Sequence, residues 1–238
     1  MRWMILATLG LAACGADRSN DGDRRGDARP AALRDFTAVA LESSDQVEIT
    51  RGTGFAVRIE ADPAVRDRLD IRRDGDTLRI GRKDGGSWTG GDGVARIRVS
   101  MPEITAAALA GSGDITIDQA SDGFAGTLGG SGDMTIGQLR GERAALTVAG
   151  TGTIAAAGSV RQLALSTAGS GDIDARQVRA GAATVSIAGS GGVAADIDGP
   201  VQVTLVGSGS ATLGANARCT VNRVGTGDVT CGRDDRTG

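Results

Sequence analysis

The sequence predicts an all-β fold: a parallel β-helix (solenoid) of about seven coils of ~19 residues each, preceded by a β-rich N-terminal segment that caps or extends it. Three observations predict it. One phrase built around Gly-Ser/Thr-Gly recurs seven times, at 110–117, 129–136, 149–156, 168–175, 188–195, 206–213 and 224–231. Its leading glycines, Gly111, Gly130, Gly150, Gly169, Gly189, Gly207 and Gly225, are spaced 19, 20, 19, 20, 18 and 18 residues apart. The composition agrees. Of 39 glycines in 238 residues, 26 lie from residue 110 onward and 14 of those are the paired corner glycines, while only 5 residues are aromatic and 4 are Pro. Glycine is thus scheduled at fixed places in a chain that is 40% hydrophobic and able to build a core.

The columns around each corner set the inward direction. Two positions before the leading glycine stand Leu109, Leu128, Val148, Thr167, Ile187, Leu205 and Arg223; four positions after it stand Ile115, Met134, Ile154, Ile173, Val193, Ala211 and Val229. These positions share parity, so each repeat reads as two short strands joined by the corner, with aliphatic side chains stacked inside. At ~3.3 Å per residue a coil has about 63 Å of contour, and seven coils at ~4.8 Å make a rod roughly 30 to 35 Å long. Glycine at both flanks of the corner is expected to supply positive φ and close approach of neighbouring coils. The hydroxyl column Ser112, Ser131, Thr151, Ser170, Ser190, Ser208 and Thr226 is expected to hydrogen-bond as a ladder. The next column, Asp114, Asp133, Thr153, Asp172, Gly192, Ser210 and Asp228, could hold calcium or form turns; its three interruptions favour turns, and no metal site is assigned.

Upstream, apolar and charged residues alternate in 47–50, 55–60, 69–72, 78–80 and 97–99, which read as half-buried strands. Asp74-Gly75 marks a tight reversal, and Asp62-Pro63 suits the N-cap and first position of one or two helical turns. The Gly-rich loop 83–93 carries Trp88. An exposed Trp there could contact a glycan or a partner; a loop Trp that folds back on nearby apolar surface reads the same way.

At the N-terminus a short positive start leads into an apolar run, Met4 to Ala13. It is too short to span a membrane as a helix and fits a signal peptide. Its end, Leu11-Ala12-Ala13-Cys14, resembles a bacterial lipoprotein signal. That resemblance implies cleavage before Cys14 and membrane attachment through a lipidated Cys14, with acyl chains contributing about 0.8 kcal/mol per buried methylene. Gly15 after the Cys, rather than Asp, resembles lipoproteins sorted to the outer membrane. The chain therefore divides into a signal peptide (1–13), a flexible polar tether (14–33), an N-terminal β segment (34–103) and the solenoid (104–238), the last two forming one domain.

The chemistry is bounded by what the chain lacks. It has no His, which removes His-based triads and His-ligated zinc, and its formal net charge of −3 with interspersed signs offers no basic patch for nucleic acid. Gly150-Thr151-Gly152 lacks the third glycine of a dinucleotide fingerprint, so no cofactor is expected. Cys219 and Cys231 flank the last corner symmetrically on the inward parity. They are either a disulfide stapling the end of the rod, which an exported setting favours, or two buried free thiols.

The repeated corners, the segment Val99-Ser100-Met101-Pro102-Glu103-Ile104, and the stretches Phe36-Thr37-Ala38-Val39, Val47-Glu48-Ile49 and Asp76 to Ile80 together resemble the head GIN domain of putative auto-transporter adhesins. The likeness runs from about Phe36 to Cys231. It implies a right-handed parallel β-helix and an adhesin-type role, and it carries no catalytic residues. Three functions follow as expectations: a non-enzymatic, membrane-anchored rod that binds an envelope protein or cell-surface glycan or strengthens the envelope; a carbohydrate-binding or carbohydrate-processing β-helix with a carboxylate groove near Trp88; and an envelope-stress component acting through a protein partner.

Overall fold

The computed structural model describes residues 33–83 and 93–232. Short apolar-polar alternations bounded by glycine or polar turns become strands. In chain order they are β1 (Ala38–Leu41), β2 (Gln46–Arg51), β3 (Ala56–Glu60), β4 (Leu69–Asp74), β5 (Thr77–Arg82), β6 (Arg96–Met101), β7 (Ala106–Leu109), β8 (Asp114–Ile117), β9 (Phe124–Leu128), β10 (Met134–Val148), β11 (Thr153–Gly169), β12 (Asp172–Gly189), β13 (Gly192–Ile197), β14 (Pro200–Gly207), β15 (Ser210–Thr212), β16 (Arg218–Gly225) and β17 (Asp228–Thr230). One short helix, α1 (Pro63–Arg66), interrupts them. From β7 onward the pairings between successive coils are parallel, which makes the chain a β-solenoid.

Each full coil has three paired stretches rather than the expected two. Between β10 and β11, residues 134–136 pair with 154–156, 139–141 with 158–160, and 143–148 with 162–167. The second side is three to four paired residues long and, unlike the equally short first side, does not adjoin the repeated Gly-Ser/Thr-Gly phrase, so its alternation does not stand out. Gly158 (φ 133°) stands where the chain enters this side and Gly141 (φ 140°) where the chain leaves it. Between β12 and β13 the register steps from Ala175↔Ala195 to Arg179↔Asp196. Residues 176–178 are left without partners in β13, which begins the shortening of the repeat from 20 residues to 18.

The predicted pair of columns forms much of the core, joined by second-side residues such as Leu139, Val160, Val178 and Ile197; in the last coil Arg223 is exposed and Val229 only half-buried. Leu109, Leu128, Val148, Ile187 and Leu205, with Ile115, Met134, Ile154, Ile173, Val193 and Ala211, are all buried. Thr167 sits in the same column, 2% exposed, and its hydroxyl has no hydrogen-bond partner.

The N-terminal segment both extends and caps this stack. β1 pairs in parallel with β7 and β5, and β2 with β8 and β6, so the third and first sides continue for two further levels and the parallel stack begins well before residue 104. Outside them β3 pairs antiparallel with β6, and β4 with β5 through the Asp74-Gly75 reversal, where Gly75 has φ 59°. The Phe36 and Phe55 rings meet at 5.0 Å at this end. Pro63 does occupy the first turn of α1, but the Asp62 side chain makes no cap hydrogen bond.

Candidate functional site

The seven predicted glycine corners line up along one ridge. Close approach makes them glycine: a Cβ on Gly130 would lie 1.9 Å from the Gly111 carbonyl oxygen, and one on Gly189 would lie 2.3 Å from that of Gly169. Positive φ is narrower than expected. It is confined to four leading glycines, Gly169, Gly189, Gly207 and Gly225, and is absent from the second glycine of each pair. The ridge carries an eighth corner without glycine, Ser43-Ser44-Asp45, directly before Gly111 and Gly113. The restriction falls on the later coil of each stacked pair, because its Cβ would strike the carbonyl of the earlier one.

Backbone groups, not the expected hydroxyl ladder, hold the ridge together. The Ser190, Ser208 and Thr226 amides each donate at 3.0 Å to the leading glycine carbonyl of the preceding coil, and that carbonyl accepts the following glycine amide as well. Only one hydroxyl pair is in hydrogen-bond range among the described residues, Ser170 with Ser190 at 3.1 Å. The extra carbonyl acceptors satisfy the corner, and the remaining hydroxyls face solvent.

The interrupted Asp column acquires a physical reason. The carboxylates of Asp114, Asp133 and Asp172 accept the backbone amides of Asp133 (3.3 Å), Thr153 (3.0 Å) and Gly192 (2.7 Å) in the next coil. Where the preceding coil lacks Asp, the same amide turns to a corner glycine carbonyl: Asp172 to Gly152 and Ser210 to Gly191 (3.2 Å each), and Asp228 to Gly209 (3.0 Å). Either acceptor satisfies the donor, so the column tolerates Thr, Gly and Ser. Asp122 plays a similar part at another bend. It accepts the amides of Arg143 (3.2 Å), Glu142 (2.6 Å) and Gly123 (2.9 Å), which hold its carboxyl below the usual range. Among the described residues no three His, Cys, Asp or Glu side chains gather as a metal site.

Asp45, which the sequence reading did not single out, is fully buried. Its carboxylate accepts from Ser43 Oγ (2.7 Å), the Ala95 amide (2.8 Å) and Arg82 Nε (3.2 Å), and Arg82 also donates to the Gly93 carbonyl (2.9 Å). Burial opposes the charge, but Arg82, the Ala95 amide and Ser43 outweigh it and hold the carboxyl below its ordinary value. One corner residue thereby clamps both ends of the connection from β5 to β6. Trp88, the candidate surface-contact residue in that connection, lies outside the described residues, as does Cys14.

The outward surfaces differ by side. The first side carries Asp114, Asp133, Asp172 and Asp174, and near its N-terminal end a shallow depression of about 320 Å³ lined by Gln46, Glu48, Arg96, Asp114 and Thr116. Beside it Arg98 bridges Glu48 (3.1 Å) and Glu60. The second side has a depression of about 420 Å³ at the register step, lined by Ser159, Arg179, Asp196, Asp198 and Asn216 among others. On the third side the outward residues are uncharged and mostly small, coil after coil: Ala106 stacks on Ala125, then Ala145, Ala164, Thr184, Gln202 and Thr220. At the C-terminal end Cys219 and Cys231 are bonded, with Cα atoms 6.2 Å apart, and Arg223 Nη1 reaches the Gly227 carbonyl at 3.0 Å.

Three solved structures share this fold. A putative adhesin from Bacteroides fragilis superposes with a TM-score of 0.75 at 18% identity, covering 84% of this chain and 93% of that one. A putative lipid-binding protein from Parabacteroides distasonis gives 0.65 at 20% identity, covering 83% and 92%. A putative adhesin from Parabacteroides merdae gives 0.62 at 17% identity, covering 84% and 92%. No curated protein matches the sequence. The family described as putative auto-transporter adhesin, head GIN domain, matches residues 35–217, and the chain belongs to that family.

Proposed function

We propose that the protein is exported, anchored to the bacterial outer membrane through lipid on Cys14, and acts as a non-enzymatic rod that binds an envelope protein or a cell-surface glycan. The observation that carries this reading is the outward surface of the solenoid: long, flat, stacked faces with two shallow mixed-charge depressions, a geometry suited to contact with a macromolecule. The adhesin description of the family supports it. The Leu11-Ala12-Ala13-Cys14 box and the polar tether supply attachment and reach. A chain without His, with its carboxylates engaged by backbone amides at the corners, also fits a surface-presenting role better than acid-base chemistry.

The test is a glycan array and an envelope pull-down with the purified protein. Specific retention that survives Trp88→Ala supports binding along the faces. A specific glycan signal abolished by Trp88→Ala replaces this reading with the carbohydrate-module alternative.

A further inference from the structure

The third side of the solenoid is unlike the other two. Its outward columns are Ala38, Ala106, Ala125, Ala145, Ala164, Thr184, Gln202 and Thr220 in one row, and Ala40, Ala108, Thr127, Thr147, Ser166, Ser186, Thr204 and Asn222 in the next, fixed by the pairing registers. Across eight stacked strands, β1, β7, β9, β10, β11, β12, β14 and β16, neither row contains a charged side chain, in a chain that is 23% charged. Charge returns at the margins, with Arg79 at the N-terminal end and Arg143 and Arg218 along the bend. A third row runs Ala168, Ala188, Val206 and Val224; Val206 is 49% exposed and Val224 64%, two of the four exposed large hydrophobic residues among those described.

We infer that this face is a self-association surface, occupied by the same face of a second copy of the chain. Eight strands at ~4.8 Å by five residues at ~3.3 Å outline a patch roughly 38 by 17 Å, on the order of 650 Å². Two such patches bury about 1,300 Å², within the ~1,200–2,000 Å² of a stable interface. Depletion of charge at the centre, with Arg side chains at two margins, is one compositional mark of an interface core. Small side chains let two twisted sheets approach closely, and one flat face meeting its own copy about a two-fold axis is self-complementary. The first and second sides, with their charges and depressions, remain free for the partner of the proposed function.

Sedimentation velocity of the full chain in non-ionic detergent tests this. The wild type sediments as a dimer across the micromolar range, and Ala164→Glu or Ser186→Glu, each placing a charge on the central strands, weakens dimerisation by roughly tenfold or more while thermal unfolding stays cooperative. Thr135→Glu, on the first side, leaves the dimer intact. A wild type that is monomeric throughout overturns the inference, as does a dimer insensitive to both third-side glutamates. A monomer retained on an insoluble polysaccharide, with retention lost in Ala164→Glu, also overturns it and assigns the face to a glycan surface.

Discussion

Asp45 shows how much one buried carboxylate can organise. It takes hydrogen bonds from Ser43, Arg82 and the Ala95 amide, so Asp45→Asn leaves Arg82 short of its counter-charge and should cost about 2 to 3 kcal/mol, read from denaturant unfolding. Because its folded-state pKa is depressed, its contribution is fully present above the unfolded Asp value of about 4 and is lost as pH falls through the folded value. The wild-type melting temperature should therefore drop below about pH 4, and that drop should be smaller in Asp45→Asn. Two glycines separate crowding from backbone strain. Gly130→Ala pushes a Cβ against a carbonyl 1.9 Å away and should cost roughly 3 kcal/mol or abolish folding, whereas Gly75→Ala, with φ 59° and open space around it, should cost about 1 kcal/mol. Thr167→Val removes a buried hydroxyl without a partner and should stabilise the rod by about 1 kcal/mol; an unchanged or lowered melting temperature would mean that the hydroxyl is satisfied.

The elements were legible in the sequence to different degrees. The first and third sides could be read because they alternate around a punctuating glycine, so Leu128, Met134 and Val148 could be placed inside from spacing alone. The second side could not, since it is as short as the first and has no recurring Gly-Ser/Thr-Gly phrase beside it to mark its place. The corner at Ser43-Ser44-Asp45 escaped for a different reason: the glycine restriction falls on the coil after it, leaving that corner its side chains. Asp45 and Arg82, 37 residues apart, meet only because the β5 and β6 levels stack on β1 and β2. The charge-free third face was present in the sequence as outward columns, but with three sides per coil its extent needed the register. At the C-terminal element, the Cys219–Cys231 bond closes a loop of 12 residues' separation, worth about 3 kcal/mol in a chain-entropy account. Reduction should raise amide exchange in β16 and β17 while β10 to β12 stay protected; uniform loss of protection would place the staple's effect elsewhere.

As a whole, the molecule is a rod with unlike ends. The N-terminal end is covered by β3, β4 and α1, and the C-terminal end is closed by a disulfide and Arg223. End coils that differ from the repeat are what a stack needs to stop growing. A large part of the glycine excess, 14 of 39 residues, follows a local rule about carbonyls meeting Cβ atoms along one ridge. The fold could be read from the spacing of those corners, and the family from the corners together with the N-terminal segments 36–39, 47–49, 76–80 and 99–104, while the outward side chains that would meet a partner are not constrained by the core. Mass analysis of the mature N-terminal peptide together with membrane fractionation tests the proposed attachment of this adhesin-type rod to a membrane through Cys14. The expected result is a chain beginning at acylated Cys14 in the membrane fraction, with Cys14→Ser released to the soluble fraction. A mature chain that begins elsewhere, or a Cys14→Ser protein that stays with the membrane, would contradict it.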